Sequence, residues 1–487
     1  MLFNSHVYIF GFLPLTAVGF NLLLRRSLTA SLVGLTVASL VFYAWWNPAY
    51  LLLLIPSILG NYCAGRLLVL TSDRRRRQRW ILAGSIAANL VVLGFFKYSE
   101  FVASNVSALT GQALPTLHTP LPLAISFFTL GQIAFLVDVS RGKTAEPSLL
   151  VYATYVTFFP HLIAGPIIRH QEIAPQFRNA RLLRSNWHDL SVGLTLFSIG
   201  LFKKSVLGDS LADLADPAFN VLASGKSLTF LEAWIGILAF TFQIYFDFSG
   251  YTDMATGSAK MLGLTLPINF LAPYQATSVS EFWRRWHVSL SRFLRDYVYI
   301  PLGGNRHGEP RRRLNLLLTM LIGGLWHGPA WTFVFWGGLH GTSLIVDHGW
   351  QAHRQRRPHW PGLHPAVARA CTFLAVVVAW VFFRAPDWST ALGMLRGMAG
   401  QSGLAMDPSL GQGVVLLALS FLLTQLVPDS VELVGWVDSP PAEGAPRHAR
   451  RVLRWRPTTA WSLITATLFL VGLLFLVRQS PFIYFEF

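Results

Sequence analysis

The chain has 487 residues, of which 53% are hydrophobic and only 13% charged. Soluble domains carry about 25% charged residues, so this composition excludes an ordinary water-soluble globular protein. The formal net charge of +16 would point to nucleic acid in a polar protein. Here the basic residues flank apolar runs, as the positive-inside rule demands, and no basic stripe lies in a polar domain where a nucleic acid could dock.

A membrane span needs roughly 20 mostly apolar residues to cross a hydrocarbon core about 30 Å thick. In chain order the qualifying windows are 6–24, 28–46, 50–70, 80–96, 121–137, 228–248, 366–383, 413–427 and 461–477. Shorter or interrupted candidates are 149–164, 190–202, 314–326 and 331–345. These predict an all-α polytopic protein of about 10–12 spans, some of the short stretches being re-entrant or interfacial. The 17 tryptophans fit aromatic belts at the two interfaces. Basic clusters stand at Arg25–Arg26, at Arg74–Arg77 with Arg79, at Arg141 and Lys143, at Lys203–Lys204, at 311–313, at 354–357 and across 447–456. The first span lacks a basic segment before it and a small-residue cleavage site after it, so it reads as an uncleaved helix. With Arg25 and Arg26 in the cytoplasm, the N-terminus lies outside and alternation puts Arg74–Arg79 and Arg141–Lys143 in the cytoplasm too; counting back from the cluster at 447–456 puts the C-terminus outside, while the parity of 149–345 stays open. Cys63 and Cys371 lie in apolar spans and read as buried, inert thiols. They supply neither a disulfide nor a metal framework.

The whole chain, 1–487, reads as one membrane-embedded domain in three zones. Residues 1–143 are regular spans with short basic loops. Residues 145–345 mix polar and aromatic residues into apolar sequence, and 346–487 return to regular spans, with a loop rich in Pro, Ala and Gly at 439–447. No pair of broken helices repeats in the two halves, which weighs against a secondary transporter.

Ionisable groups inside spans are costly and mark function by default. Residues 158–169, FFPHLIAGPIIR, break an apolar stretch with Pro160, His161, Gly165, Pro166 and Arg169, as a re-entrant segment would. Residues 245–253, YFDFSGYTD, close an apolar span, and Asp247 and Asp253 suit caps and hydrogen bonds between helices. Residues 280–297, SEFWRRWHVSLSRFLRDY, fit one amphipathic helix. Trp283, Trp286, His287, Leu290, Phe293, Leu294 and Tyr297 share an arc at 100° per residue, with Glu281, Arg284, Arg285, Arg292, Arg295 and Asp296 on the other side. Such a helix lies in the cytoplasmic interface with its arginines wet and His287 inward. Residues 323–331, GGLWHGPAW, place His327 at a bend, because Pro329 lacks an N–H and disfavours helix before it. Gly324 and Gly328, like Gly337 and Gly341 around His340, have the spacing that lets helices approach closely. Arg384, in FFRA at a span end, reads as snorkelling. A purely structural role, a histidine bonded to a carbonyl or an arginine in a headgroup layer, stands as the alternative at each of these places. No Gly-x-Ser-x-Gly elbow, P-loop or His-Glu-x-x-His is present.

Together with LPLAISFFTLGQIAFLVDVSRG at 121–142, NFLAPY at 269–274 and YVYIPLGGNR at 297–306, these segments resemble the membrane-bound O-acyltransferase family, in its bacterial polysaccharide branch of alginate O-acetylation proteins. The resemblance covers nearly the whole chain and weakens after about Arg396. It implies a fold built around a central tunnel in which His327 is the catalytic histidine. His287 occupies the family's second functional position, as a hydrogen-bond donor or positioning group, with His340 as the next partner to consider. It further implies acetyl-coenzyme A or another acetyl thioester as a cytoplasmic donor substrate, with no metal and no permanently bound cofactor. Arg284, Arg285, Arg292 and Arg295 are candidates for the coenzyme phosphates, although lipid headgroups explain them equally well. The expected location is the bacterial inner membrane. The expected partners are the lipid bilayer, an extracytoplasmic transferase with an SGNH-hydrolase-like domain and a polysaccharide export complex. Transfer of D-alanine to teichoic acid is the alternative within the fold, against which the long C-terminal extension argues. A transporter of a lipid-linked sugar is the alternative outside it, and leaves the two histidine motifs unexplained.

Overall fold

A computed structural model describes the chain except for residues 116–119, 164, 181–182, 184–185, 358–361, 406–410, 436–453, 478–482 and 484–487. The expected loop at 439–447 and the first part of the basic cluster at 447–456 lie outside the described residues. Every regular element among the described residues is a helix. Among the described residues, six helices are long and apolar enough to cross a membrane: Val7–Arg26, Pro48–Leu70, Arg75–Thr110, Trp187–Ala223, Phe230–Met261 and Pro365–Arg384. Four shorter apolar helices accompany them, Leu28–Ala44, Ile125–Ser140, Gly413–Leu426 and Thr459–Leu474. The protein is therefore an all-α, multi-pass membrane protein.

The chain forms two compact units. The first comprises Met1–Phe197 and Tyr251–Pro267. Its helices are joined by aromatic packing around Phe3, Tyr8, Phe42 and Phe159, all fully buried. Polar contacts add to this where a membrane offers helices no hydrophobic drive to associate. Asn61, on helix Leu51–Leu70, and Asn89, on helix Arg75–Thr110, exchange amide hydrogen bonds of 3.1 and 2.7 Å. The segment read as re-entrant is broken as expected. Helix Leu149–Thr157 stops before Pro160, a single turn Phe159–Leu162 follows, and helix resumes at His170. His161 lies with Nε2 2.7 Å from the Tyr155 carbonyl oxygen, the structural alternative for that residue. Beyond it Glu146, wholly buried, is held by His170 at 2.9 Å and by Arg178.

The second unit comprises Ser198–Gly250 and Ile268–Phe487. Lys204, read from sequence as part of a basic flank, is instead buried, with its ammonium 2.7 Å from Asp209 and 2.5 Å from Asp247. An ammonium in apolar surroundings must be paired, and the carboxylate in YFDFSGYTD supplies the pairing. Asp247 also accepts from the backbone N–H of Ile483 at 2.9 Å. That motif does not end its span: helix Phe230–Met261 runs on through it. Arg384 does not snorkel. Its guanidinium donates to Asp216 at 2.7 Å and lies over the rings of Phe219 and Phe240. The cysteines also differ from expectation, both side chains being exposed. In a chain that spans a membrane, an apolar helix face can look outward to lipid, so apolar surroundings in sequence do not establish burial.

Candidate active site

The site is built within the second unit by two helices that meet through glycine. Helix Gly308–His327 and helix Trp331–Arg356 are joined by a three-residue bend at Gly328, Pro329 and Ala330, as Pro329 predicts. Their backbones touch. A Cβ on Gly324 would fall 2.2 Å from the Phe333 carbonyl oxygen, and one on Gly337 would fall 2.2 Å from that of Met320. This contact fixes His327, the last residue of the first helix, against Trp336 of the second. The His327 ring lies 5.0 Å from Trp336, 4.9 Å from Trp326 and 5.2 Å from Phe383, centroid to centroid. The Trp336 ring in turn lies 4.9 Å from His340. His327 is 5% exposed and His340 2%.

His287 reaches the interior by another route. The predicted single helix over 280–297 is broken into Val279–Arg285, Val288–Leu294 and a wider turn Arg295–Tyr299. Between the first two pieces His287 adopts φ +42°, in the left-handed region that L side chains rarely occupy. The cause is the NFLAPY segment. The backbone N–H of Leu271 donates to the Arg285 carbonyl at 3.0 Å, and Val288 N–H donates to the Asn269 carbonyl at 2.9 Å. The Asn269 side-chain oxygen accepts from Ser289 N–H at 3.3 Å and from Ser289 Oγ at 2.8 Å. Periodicity could not reveal this break, because the competing hydrogen bonds come from a segment outside the helix. His287 is nevertheless buried, as the apolar arc implied, with its ring 4.8 Å from Phe248.

The tautomer of His287 follows from its partner. Asn269 Oδ1 is fixed as the oxygen by the Ser289 backbone donor, so His287 Nδ1, 3.1 Å away, carries the proton. In the neutral ring Nε2 then presents a lone pair. In that form Nε2 accepts a hydrogen bond rather than donating one. His340 has the opposite arrangement. Trp283 Nε1–H donates to His340 Nδ1 at 3.2 Å, which leaves the proton on Nε2.

The four arginines do not act alike. Arg285 is tied to Glu281 at 2.7 Å and to the Leu271 carbonyl at 3.1 Å. Arg295 pairs with Asp296. Arg284 is exposed and Arg292 half-buried. The tryptophans are not confined to belts either: Trp283, Trp286, Trp326, Trp336 and Trp380 are buried around the histidines. Sequence reasoning missed Trp380 and took in Phe383 only as part of FFRA. The spacing of three between Trp380 and Phe383 on helix Pro365–Arg384 places both on one face, a signal that FFRA itself offered for Trp380. No group of three or more metal-ligating side chains occurs among the described residues.

Buried histidines at glycine-tight helix junctions in an all-α membrane bundle mark a functional interior. The model of the membrane-bound O-acyltransferase family matches residues 85–385, and the chain belongs to that family. It is 42% identical to the peptidoglycan O-acetyltransferase of Helicobacter pylori, covering 83% of this chain and 81% of that one. It is also 42% identical to a probable alginate O-acetylase of Pseudomonas putida, over 82% and 80% of the two chains. With the corresponding protein of Azotobacter vinelandii identity is 37% over the full length of both. The protein is an acyltransferase.

Proposed function

We propose that the protein takes an acetyl group from a cytoplasmic acetyl thioester, such as acetyl-coenzyme A, and that the group serves O-acetylation of an exported polysaccharide. His327 is the general base. The observation that carries this reading is the placement of His327. It is a buried imidazole at the carbonyl end of a 20-residue helix, walled by Trp326, Trp336 and Phe383, where a proton acceptor is shielded from water. The names of the relatives, both peptidoglycan and alginate O-acetylating proteins, support acetyl as the group transferred. The carbonyl end of a helix is also where a positive charge is best placed, and a base acquires one when it takes a proton.

In this mechanism a hydroxyl group attacks the thioester carbonyl carbon while its proton passes to His327. Collapse of the tetrahedral adduct breaks the carbon–sulfur bond, and the departing thiolate receives the proton from His327. His287, with its Nε2 lone pair, positions groups along the same interior. The acetyl ester formed on that hydroxyl is the product that serves an extracytoplasmic transferase and an export complex at the bacterial inner membrane. The test is replacement of His327 by Ala and by Gln, with membrane abundance and acetylation of the exported polymer measured together. Loss of a general base typically lowers the rate about 10²–10⁴-fold. Normal acetylation by an abundant His327→Ala protein would refute the assignment.

A further inference from the structure

Among the buried side-chain N–H groups that find no hydrogen-bond acceptor among the described residues, three belong to one ring cluster: Nε1 of Trp336, Nε1 of Trp380 and Nε2 of His340. The three side chains are 1%, 0% and 2% exposed. Trp336 lies 4.9 Å from His340 and 5.9 Å from Trp380, and His340 lies 6.4 Å from Trp380, centroid to centroid. Trp336 is also the ring that packs on His327. That His340 Nε2 is a donor follows from the Trp283 hydrogen bond. An indole N–H can only donate, so Nδ1 presents its lone pair and the neutral ring carries its proton on Nε2. Buried donors in folded proteins are nearly always paired. Three unpaired ones on adjoining rings, next to the candidate base, point to an acceptor that comes and goes.

We propose that His340, Trp336 and Trp380 bind the carbonyl oxygen of the acyl thioester and stabilise it as it becomes an oxyanion. The proposal rests on the reading of His327 as base and adds the complementary half of the site. As the hydroxyl oxygen bonds to the carbonyl carbon, the C=O π pair moves onto the carbonyl oxygen, and the fixed N–H groups meet that charge without reorganising. When the adduct collapses, the C=O bond re-forms, the C–S bond breaks and the oxygen no longer needs the donors. His340 thus serves as a neutral donor rather than as a second base. The aromatic walls contribute by excluding water, which strengthens each such hydrogen bond.

The test uses the full chain in its native membrane, reading the initial rate of labelled acetyl incorporation into exported polymer at matched membrane abundance. His340→Phe keeps the ring and removes the donor; a fall of roughly 10²–10³-fold is expected, the range seen when one oxyanion donor is lost. His340→Gln, whose amide can donate from a similar place, should recover much of that loss. Substitution of Trp336 or Trp380 by β-(3-benzothienyl)alanine keeps the bicyclic shape and replaces N–H by sulfur, so a rate loss there reports the donor and not the packing. The proposal is overturned if His340→Phe acetylates at nearly the parental rate. It is likewise overturned if His340→Gln is as inactive as His340→Phe, or if both benzothienyl proteins are unimpaired. Should His340→Phe fail to reach the membrane, the shape-preserving benzothienyl pair decides the matter. His327→Gln separates the two readings: its activity tests the base alone, whatever the donor variants show.

Discussion

At the scale of single residues, the interior is organised by acceptors that fix which histidine nitrogen carries a proton. Asn269, 1% exposed, serves His287 Nδ1, Ser289 N–H and Ser289 Oγ through one oxygen. Losing the acceptor of a buried donor costs about 1–3 kcal/mol apiece. Asn269→Ala should therefore lower the melting temperature in detergent markedly, and acetylation with it, because the break that aims His287 inward is held by the same residue. A melting temperature unchanged from the parent would show that the Asn269 bonds do not hold the break. Glu146 gives a prediction with a pH sign. Burial opposes its ionisation, but the hydrogen bonds from His170 and the Ser148 backbone and the charge of Arg178 outweigh it and hold the carboxyl below its usual 4.5. A depressed folded-state pKa contributes stability that is present above the unfolded value and lost as pH falls through the folded one. Glu146→Gln should thus melt lower than the parent near neutrality, and the gap should close as pH is taken below about 4.5. A gap that stays constant on acidification would show that the charge of Glu146 contributes nothing.

At the scale of elements, the contact between helices Gly308–His327 and Trp331–Arg356 sets where His327 and His340 stand. The neighbouring glycines 337 and 338 provide a matched comparison. A Cβ at Gly337 would meet the Met320 carbonyl at 2.2 Å, backbone that cannot yield, whereas one at Gly338 would meet the end of Leu321 at an ordinary 3.6 Å. Gly337→Ala should part the helices at a cost of about 1–3 kcal/mol, as overpacking does, and depress acetylation more than abundance. Gly338→Ala should leave both near the parental level. Equal behaviour of the two would mean that the glycine contact does not position the site. This junction was legible in sequence: the glycine spacing, the bend at Pro329 and the inward side of His287 all follow from residue type and period. What was not legible depends on partners far along the chain. The helix break at His287 is imposed by Asn269 and Leu271. The burial of Lys204 depends on Asp247, and the pairing of Arg384 depends on Asp216, 168 residues away. Local pattern assigns such cations to the membrane surface because it cannot see the carboxylates that draw them inward.

At the scale of the whole molecule, the basic clusters predict which way the first unit faces. Helix Val7–Arg26 ends on Arg25 and Arg26. Two apolar helices follow, Leu28–Ala44 and Pro48–Leu70, and the chain then reaches the arginines that open helix Arg75–Thr110. Two crossings return the chain to the side it left, so both clusters share one side. A second pair, Arg75–Thr110 and Ile125–Ser140, returns it again, to Arg141 and Lys143. Three basic clusters on one side satisfy the positive-inside rule together; the inverted arrangement would violate it three times. Burying an arginine at a span centre instead costs roughly 2.5–3.5 kcal/mol on insertion scales, so sliding the register does not offer an escape. The expectation is a cytoplasmic turn at Asp73 and an external one at Gln112, both exposed. With Cys63 and Cys371 replaced by Ser, single cysteines at these two positions can be probed with a membrane-impermeant maleimide. Gln112→Cys should label in intact cells, and Asp73→Cys only after the membrane is opened. Labelling of Asp73→Cys from outside would invert the first unit, and would place the supply of acetyl thioester on the wrong side of these early spans.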